Sequence, residues 1–448
     1  DKHTYCVIMA GGIGSRFWPK SRQSKPKQFL DILGTGKSFI RMTYERFEKL
    51  APAENFLVVT NARYKDLVLE QIPELGPEQV LCEPVGRNTA PCICYAAYGL
   101  QKRDPGAKMI VTPADHLILN EEDFRAIIGE CLDFIDDRAA LMTVGIKPTR
   151  PETGYGYIQV SDDRTISKVK CFTEKPNLEL AQTFLQCGEF LWNSGIFVWK
   201  VGDIIEAVRT YLPEHHALFS DIQPVLGTSE EAEAIARVFS ECRSISIDYG
   251  VMEKANNVYV RRGEFGWSDV GTWGSLYQHA RKDRYANAKP EKGCYTDENT
   301  RSCIVSLPEG KVAVINGLKE YIVVDTEDVL LICPRSEEQN IKKFIDEVKY
   351  NEGDKLFKGH NISAPTRVPE PPGFPKRQMP LAGLPIGKRS ALLLDKENMT
   401  KYSISPMSSL YELYLRHPRI STDSRRIEPD SVFFSYTHLR AHETLANL

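Results

Sequence analysis

The sequence predicts an α/β fold with a mixed, mainly parallel sheet over residues 1–285, then a small β module over 286–356. Three observations carry this. Short apolar runs alternate with helix-spaced segments from residue 5 to residue 146, the order of a βαβ chain. The first run, 5–9, leads straight into a glycine-rich turn, Ala10-Gly11-Gly12-Ile13-Gly14. From 303 to 334 the pattern becomes closely spaced β-branched runs with no helix between them.

Bulk properties exclude several classes. The 448 residues are 42% apolar and 26% charged, ordinary for a globular chain, with room for two or three domains. A formal net charge of -3 predicts no nucleic-acid partner. No apolar run is long enough to span a bilayer, and 1–4 do not read as a secretory signal, so no membrane partner is expected. The 11 cysteines form no C-x-x-C pair and lie scattered in apolar runs, which predicts reduced, buried thiols and a cytoplasmic location.

The elements follow in order. A strand feeding a glycine turn with Arg16 and Lys27 around it supplies what a polyphosphate needs, backbone N–H donors and fixed positive charge. Two familiar glycine motifs fail here. The dinucleotide turn G-x-G-x-x-G breaks at Phe17, and the Walker A loop ending at Gly36-Lys37-Ser38 would need glycine where Asp31 stands. Residues 34–38 therefore read as an ordinary loop. Helical spacing at 38–50 precedes a strand at 56–60, a helix at 64–71 and a strand starting at 80. Residues 83–91, between that strand and a small-residue helix at 92–100, lie at the sheet edge where α/β folds bind ligands. Glu83 offers an acceptor pair suited to the two N–H donors of a guanine, while Asn88 or Thr89 could equally be only a helix cap. A strand at 109–112 ends at Pro113-Ala114-Asp115-His116, a position suited to a cation-binding carboxylate or, equally, to a cap.

A helix at 124–135 and a strand at 141–146 follow. Next comes Thr153-Gly154-Tyr155-Gly156-Tyr157, where glycines beside aromatic faces predict close backbone approach to a ligand. A strand at 169–173 ends in Glu174-Lys175-Pro176, by itself an ordinary surface pair. Residues 190–199 are too apolar for a surface loop, so Asn193 within them must find hydrogen-bond partners. Helices are expected at 201–211 and 230–239, and a second carboxylate, Asp269, follows another strand. A polar connector, 286–300, leads to strands at 303–305, 312–315, 321–324 and 329–332, closed by a helix at 338–349.

The run GGxGxRxxPxSxxxxPKQFL, matched by Gly11, Gly12, Gly14, Arg16, Pro19, Ser21, Pro26, Lys27, Gln28 and Phe29, resembles the sugar-1-phosphate nucleotidylyltransferases, specifically the mannose-1-phosphate guanylyltransferases (GDP-mannose pyrophosphorylases). Further motifs of that family recur: EPxGRNTAP at 83–91, PADH at 113–116, TGYGYI at 153–158, FxEKP at 172–176, WNSGIF at 192–197, SxDYGVME at 246–253 and FGWSDVGTW at 265–273. The resemblance implies a Rossmann-like GT-A nucleotidyltransferase domain with a C-terminal β-helix-like module. It implies transfer of GMP from GTP to mannose 1-phosphate, giving GDP-mannose and pyrophosphate for polysaccharide biosynthesis. Arg16, Lys27 and Lys175 would be catalytic. Gly11, Gly12, Gly14, Glu83, Gly86, Arg87 and Asn88 would bind the nucleotide, and Gly154, Tyr155, Glu174, Lys175 and Asn193 the sugar phosphate. Asp115 and Asp269 would hold Mg²⁺ or Mn²⁺, His116 would support its turn, and a homodimer is implied.

Two other functions compete. A nucleotidylyltransferase for another base should differ across 83–91, where the match is complete. A non-catalytic GDP-mannose-binding subunit should have lost one of Arg16, Lys27, Lys175, Asp115 or Asp269, and all are present. No His cluster of the kind a cupin-type isomerase domain uses is visible, so a second activity is not expected. The tail, 357–448, is rich in Pro and charge. Residues 407–434 resemble the start of a bacterial Mur ligase and 435–444 a translated sequencing adapter, so a non-native read-through tail outside the fold is expected.

Overall fold

The computed structural model describes residues 2–358, together with three short strands beyond them, Leu392–Leu393, Arg419–Ser421 and Ser431–Phe433. Those strands pair in parallel within a second unit, Arg367–Leu448. The rest of the expected read-through tail lies outside the described residues.

Strands in chain order are β1 (Thr4–Met9), β2 (Phe56–Asn61), β3 (Val80–Glu83), β4 (Lys108–Pro113), β5 (Leu117–Ile118), β6 (Leu141–Ile146), β7 (Gly156–Val160), β8 (Ile166–Glu174), β9 (Phe190–Lys200), β10 (Val258–Gly263) and β11 (Trp267–Ser268). Nine of them form one sheet in the order β3-β2-β1-β4-β9-β6-β10-β8-β7, with β7 also pairing β9. Only β8 and β9 run against the other seven. The expected mixed sheet is thus present, with seven of nine strands pointing one way; its neighbouring pairs are four parallel and five antiparallel, because hairpin-like returns replace strand–helix alternation around β7, β8 and β9. Apolar runs such as Cys6, Val7 and Ile8, each 0% exposed, form its centre because helices cover both faces. The helix Thr89–Arg103 packs on one face, Phe39–Phe47 and Glu121–Asp136 on the other.

The carboxyl ends of β1, β2, β3, β4, β6 and β10 share one edge. Chain order reverses between β1 and β4, and that switch point is where α/β sheets bind ligands. The glycine turn leaves β1 there.

The small β module contains β12 (Cys294–Thr296), β13 (Ile304–Ser306), β14 (Ala313–Ile315), β15 (Tyr321–Asp325) and β16 (Leu330–Pro334). Cys294 pairs with Ala313 and Ile304 with Ile322, in parallel and one coil later, which is the repeat of a β-helix. The closing helix is Ile341–Glu352, preceded by a 3₁₀ stretch Arg335–Asn340, so the expected start at 338 falls in the tighter turn. Both parts share one core: Phe17, Trp18, Val270 and Trp273 pack with Ile304, Ile322, Val324 and Ile345. Phe357, in the helix Lys355–Lys358, stacks on Trp18 at 5.5 Å, so the folded part runs past the expected boundary at 356.

Candidate active site

The site is built around Lys27. Its side chain is buried, 2% exposed, and its ammonium stands 5.5 Å and 5.1 Å from the centres of the Phe17 and Phe39 rings. Its Nζ meets Asp115 Oδ2 at 3.0 Å, donates to the Asp115 carbonyl at 3.0 Å and donates to the Asp269 carbonyl at 2.7 Å. One ammonium therefore holds together two turns 154 residues apart (269 − 115 = 154). Burial opposes ionisation of Asp115, but the Lys27 ammonium, with His116, outweighs it and keeps the carboxyl below its usual range. Lys27 also seats the glycine turn. Gly14 has φ 64°, and a Cβ there would stand 2.6 Å from Lys27 Cβ, so glycine is required twice over. The next residue, Gln28, donates its amide to the carbonyls of Ala10 and Gly12, both at 2.9 Å. Ser21 Oγ donates to the Ile13 carbonyl at 2.6 Å. Gly12 stays exposed with open space beside it, its backbone free to face a ligand.

Glu83 ends β3 beneath the same turn. A Cβ on Gly11 would come within 3.2 Å of Glu83 Oε2. Glu83 is 4% exposed, its Oε1 is buried without a hydrogen-bond partner, and burial pushes its pKa up to about 7. A buried acceptor with no donor implies a ligand that brings donors. The rest of 83–91 divides. Gly86 is exposed and unobstructed, whereas Asn88 caps the helix Thr89–Arg103 through its Oδ1, at φ 68°. Arg87 turns away: its Nε donates to the Phe239 carbonyl at 2.8 Å, holding the end of the helix Glu231–Glu241. Arg87, expected to bind the nucleotide, has its guanidinium held by the carbonyls that this helix end leaves unpaired.

Around Asp269 the backbone is strained. Val270, β-branched and buried, adopts φ 43°, a conformation costing about 1–3 kcal/mol that is found mainly at functional sites. Asp269 Oδ1 accepts from the Tyr155 hydroxyl at 2.6 Å and from the Gly271 amide at 3.0 Å. Oδ2 receives no hydrogen bond from the described residues, and a Cβ on Gly271 would block it at 2.5 Å. Tyr155 packs edge-on against Trp192 and Trp267, and the Trp267 indole donates to His116 Nδ1 at 3.2 Å. His116 is thus tied to β11, the strand that precedes Asp269.

A second cluster lies where β7, β8 and β9 meet. Lys175, at φ 48°, pairs with Glu174 at 3.0 Å and is otherwise exposed. Gly156 lies beside it, and a Cβ there would make the Glu174 carboxylate turn aside. Asn193 is half-buried and already partnered: Oδ1 accepts from Thr143 Oγ1 at 2.9 Å and from the Gly195 amide at 3.2 Å, and Nδ2 donates to Asp248 Oδ1 at 2.9 Å. Its partners among the described residues are protein groups, and through Nδ2 it orients Asp248. Burial, then the nearby Glu174, raises the Asp248 pKa to about 7. Asp248 was not singled out from the sequence, although the SxDYGVME motif contains it; it starts a π-turn, Asp248–Met252, that no periodicity signals.

A cavity of about 460 Å³ opens beside these groups, with Arg16, Gly154, Tyr155 and Asp269 in its wall. Among the described residues no three His, Cys, Asp or Glu side chains are arranged to hold a metal alone. Two carboxylates joined by phosphate oxygens are, however, the usual donor set of Mg²⁺, and Asp115 with the open Oδ2 of Asp269 fits such a set.

A glycine turn at the switch point, a buried acceptor beneath it and two carboxylate-bearing turns tied by one lysine define a nucleotidyltransferase. The nucleotidyl transferase family matches residues 5–285, and a MannoseP isomerase/GMP-like beta-helix domain matches 298–348. A mannose-1-phosphate guanylyltransferase of Salmonella montevideo is 37% identical over 353 residues, covering 77% of this chain and 73% of that protein. The xanthan biosynthesis protein XanB of Xanthomonas campestris is 35% identical over 350 residues, with the same shares covered. A solved Thermus thermophilus protein, described as a mannose-1-phosphate geranyltransferase, superposes with a TM-score of 0.70 at 30% identity, covering 78% of this chain and 99% of that one. The chain belongs to the mannose-1-phosphate guanylyltransferases.

Proposed function

We propose that this chain transfers GMP from GTP to α-D-mannose 1-phosphate, releasing pyrophosphate and forming GDP-mannose. The observation that carries the reading is the convergence on Lys27 of the glycine turn and the two carboxylate turns, beside the unpartnered acceptor of Glu83. A guanine supplies two adjacent donors, N1–H and N2–H, to a carboxylate in that position, and adenine has no such pair. Gly11, Gly12 and Gly14 present backbone to the triphosphate, with Arg16 as its exposed cation. Glu174 and Asp248, with Gly154 and Tyr155, receive the sugar, and Lys175 neutralises its phosphate.

A phosphate monoester has a second pKa near ~6, so the nucleophile is already an anion at neutral pH and needs no general base. Its oxygen attacks the α-phosphorus, the bond to the bridging oxygen breaks, and pyrophosphate leaves with the electron pair. The chain's work is positioning and charge neutralisation. Lys27 fixes Asp115 and Asp269; Arg16 and Lys175 hold the two phosphate groups on either side of the reacting phosphorus. Mg²⁺ held by Asp115 and Asp269 would neutralise charge on the reacting phosphates.

The 11 cysteines are free thiols, eight of them buried, in keeping with a reducing compartment. No described helix is long and apolar enough to cross a membrane. We place the enzyme in the cytoplasm, where its product feeds polysaccharide synthesis, as the XanB likeness supports; a homodimer rests on family resemblance alone. The test is pyrophosphate release with GTP, ATP or UTP and with mannose or glucose 1-phosphate, with and without Mg²⁺. GTP with mannose 1-phosphate and Mg²⁺ should be fastest; equal rates with ATP would reject the role of Glu83.

A further inference from the structure

The cavity beside Asp269 has a second wall that the nucleotidyltransferase domain does not supply. Lys319 and Glu320 reach it from the turn before β15, and Arg335 from the end of β16. All three belong to the small β module. The charges around the cavity are unevenly paired. Arg150 is held by Glu152 at 3.1 Å, and Glu338 accepts from the Gly274 amide at 2.6 Å. Arg16, Lys319 and Arg335 form no ion pair with a described carboxylate. Arg335 is fixed nonetheless: its guanidinium lies 3.7 Å over the Tyr277 ring, Nη1 donates to the Ser302 carbonyl at 3.1 Å, and its buried Nε has no acceptor. Arg16, Lys319 and Arg335 thus bring three cations without ion pairs to the wall of one cavity, which also carries the carboxylates of Glu320 and Glu338, and three such cations favour an anion there. The backbone adds to this. Glu320 adopts φ 60° without being glycine, a strained turn that the Arg335 amide braces by donating to the Glu320 carbonyl at 2.7 Å.

We infer that the small β module is part of the active site, and that Lys319 and Arg335 join Arg16 in binding the pyrophosphate leaving group. The inference rests on the proposed guanylyl transfer for the identity of the anion. As the α-phosphorus-to-bridging-oxygen bond breaks, the electron pair goes to pyrophosphate, whose charge grows there. Three cations facing one cavity stabilise that charge, and in the reverse direction they capture pyrophosphate. The β module thus couples its own docking to leaving-group binding, since Arg335 stands on Tyr277 of the nucleotidyltransferase domain.

The experiment measures the reverse reaction of the full chain, GDP-mannose plus pyrophosphate with Mg²⁺, for the wild type, Lys319→Gln, Arg335→Gln and the double variant. The KM for pyrophosphate should rise several-fold in each single variant and at least about tenfold in the double, with the KM for GDP-mannose unchanged. An unchanged pyrophosphate KM in Lys319→Gln and the double variant overturns the inference. Lys319 is exposed and makes no described side-chain bond, so its variant decides the matter if the loss of Arg335 unfolds the protein. Direct titration of magnesium pyrophosphate into the wild type and Lys319→Gln separates the two claims. If turnover is absent but the wild type binds pyrophosphate several-fold tighter, the proposed reaction fails and the site stands; equal affinities remove the site.

Discussion

Glu83 is the residue whose chemistry is most exposed to pH. Burial raises its pKa from the usual 4.5 to about 7. An acid whose folded-state pKa is raised is more readily protonated in the fold than in the unfolded chain. Its stabilising effect is complete below about 4.5 and is lost as pH rises through about 7. Glu83→Gln should therefore flatten the fall in unfolding free energy between those limits by up to roughly 3 kcal/mol, read from denaturant titrations at several pH values. The wild-type KM for GTP should rise on acidification below about 7, because a protonated carboxyl cannot accept both guanine donors. A GTP KM flat from pH 5 to 8 would count against guanine at Glu83. Lys27 behaves differently. Lys27→Met keeps an unbranched apolar side chain of similar length but leaves Asp115 without its cation. Asp115 keeps some exposure, so the expected cost is about 2 kcal/mol, less than for a fully buried pair, with kcat down by orders of magnitude. The motif flagged Lys27 as a phosphate ligand; that it holds two carboxylate turns could not be read, because its partners lie 88 and 242 residues away.

At the scale of the element, the glycine turn owes its shape to residues after it. Gln28 holds two of its carbonyls, Ser21 a third, and Gly14 fits over Lys27 only without a Cβ. Gly14→Ala meets both a left-handed backbone and a 2.6 Å contact, so it should cost at least about 1–2 kcal/mol and raise the KM for GTP. A variant with native stability and KM would show that the turn is not constrained as described. The strands and most helices were legible, because alternation of apolar runs and helix spacing is a local signal. The left-handed Val270, the π-turn at Asp248 and the capture of Arg87 by a distant helix end were not. Each is imposed by tertiary partners rather than by local propensity.

Across the molecule, the two parts from Thr4 to Lys358 fold around a common core. Trp18, four residues beyond the glycine turn, stacks on Phe357, and Arg22 pairs with Asp328 of the β module. Phe357→Ala should cost about 3 kcal/mol and lower turnover through Trp18. Thermal unfolding should lose the sheet and the β module in one transition; two separated transitions would show independent domains. The existence of the β module was legible from its runs of β-branched residues. Its share in the active site was not, since Lys319 and Arg335 sit in no recognisable motif and only the coiled chain path brings them to Asp269.

The central claim is that Asp115 and Asp269, tied by Lys27, organise transfer of GMP from GTP to mannose 1-phosphate. Its most direct test is pyrophosphate release by the purified full chain with both substrates and Mg²⁺, comparing wild type with Asp115→Asn. Asparagine keeps an oxygen for Lys27 but removes the negative charge. The account predicts a kcat lower by at least about a hundredfold with the fold intact. Turnover near that of the wild type would contradict it.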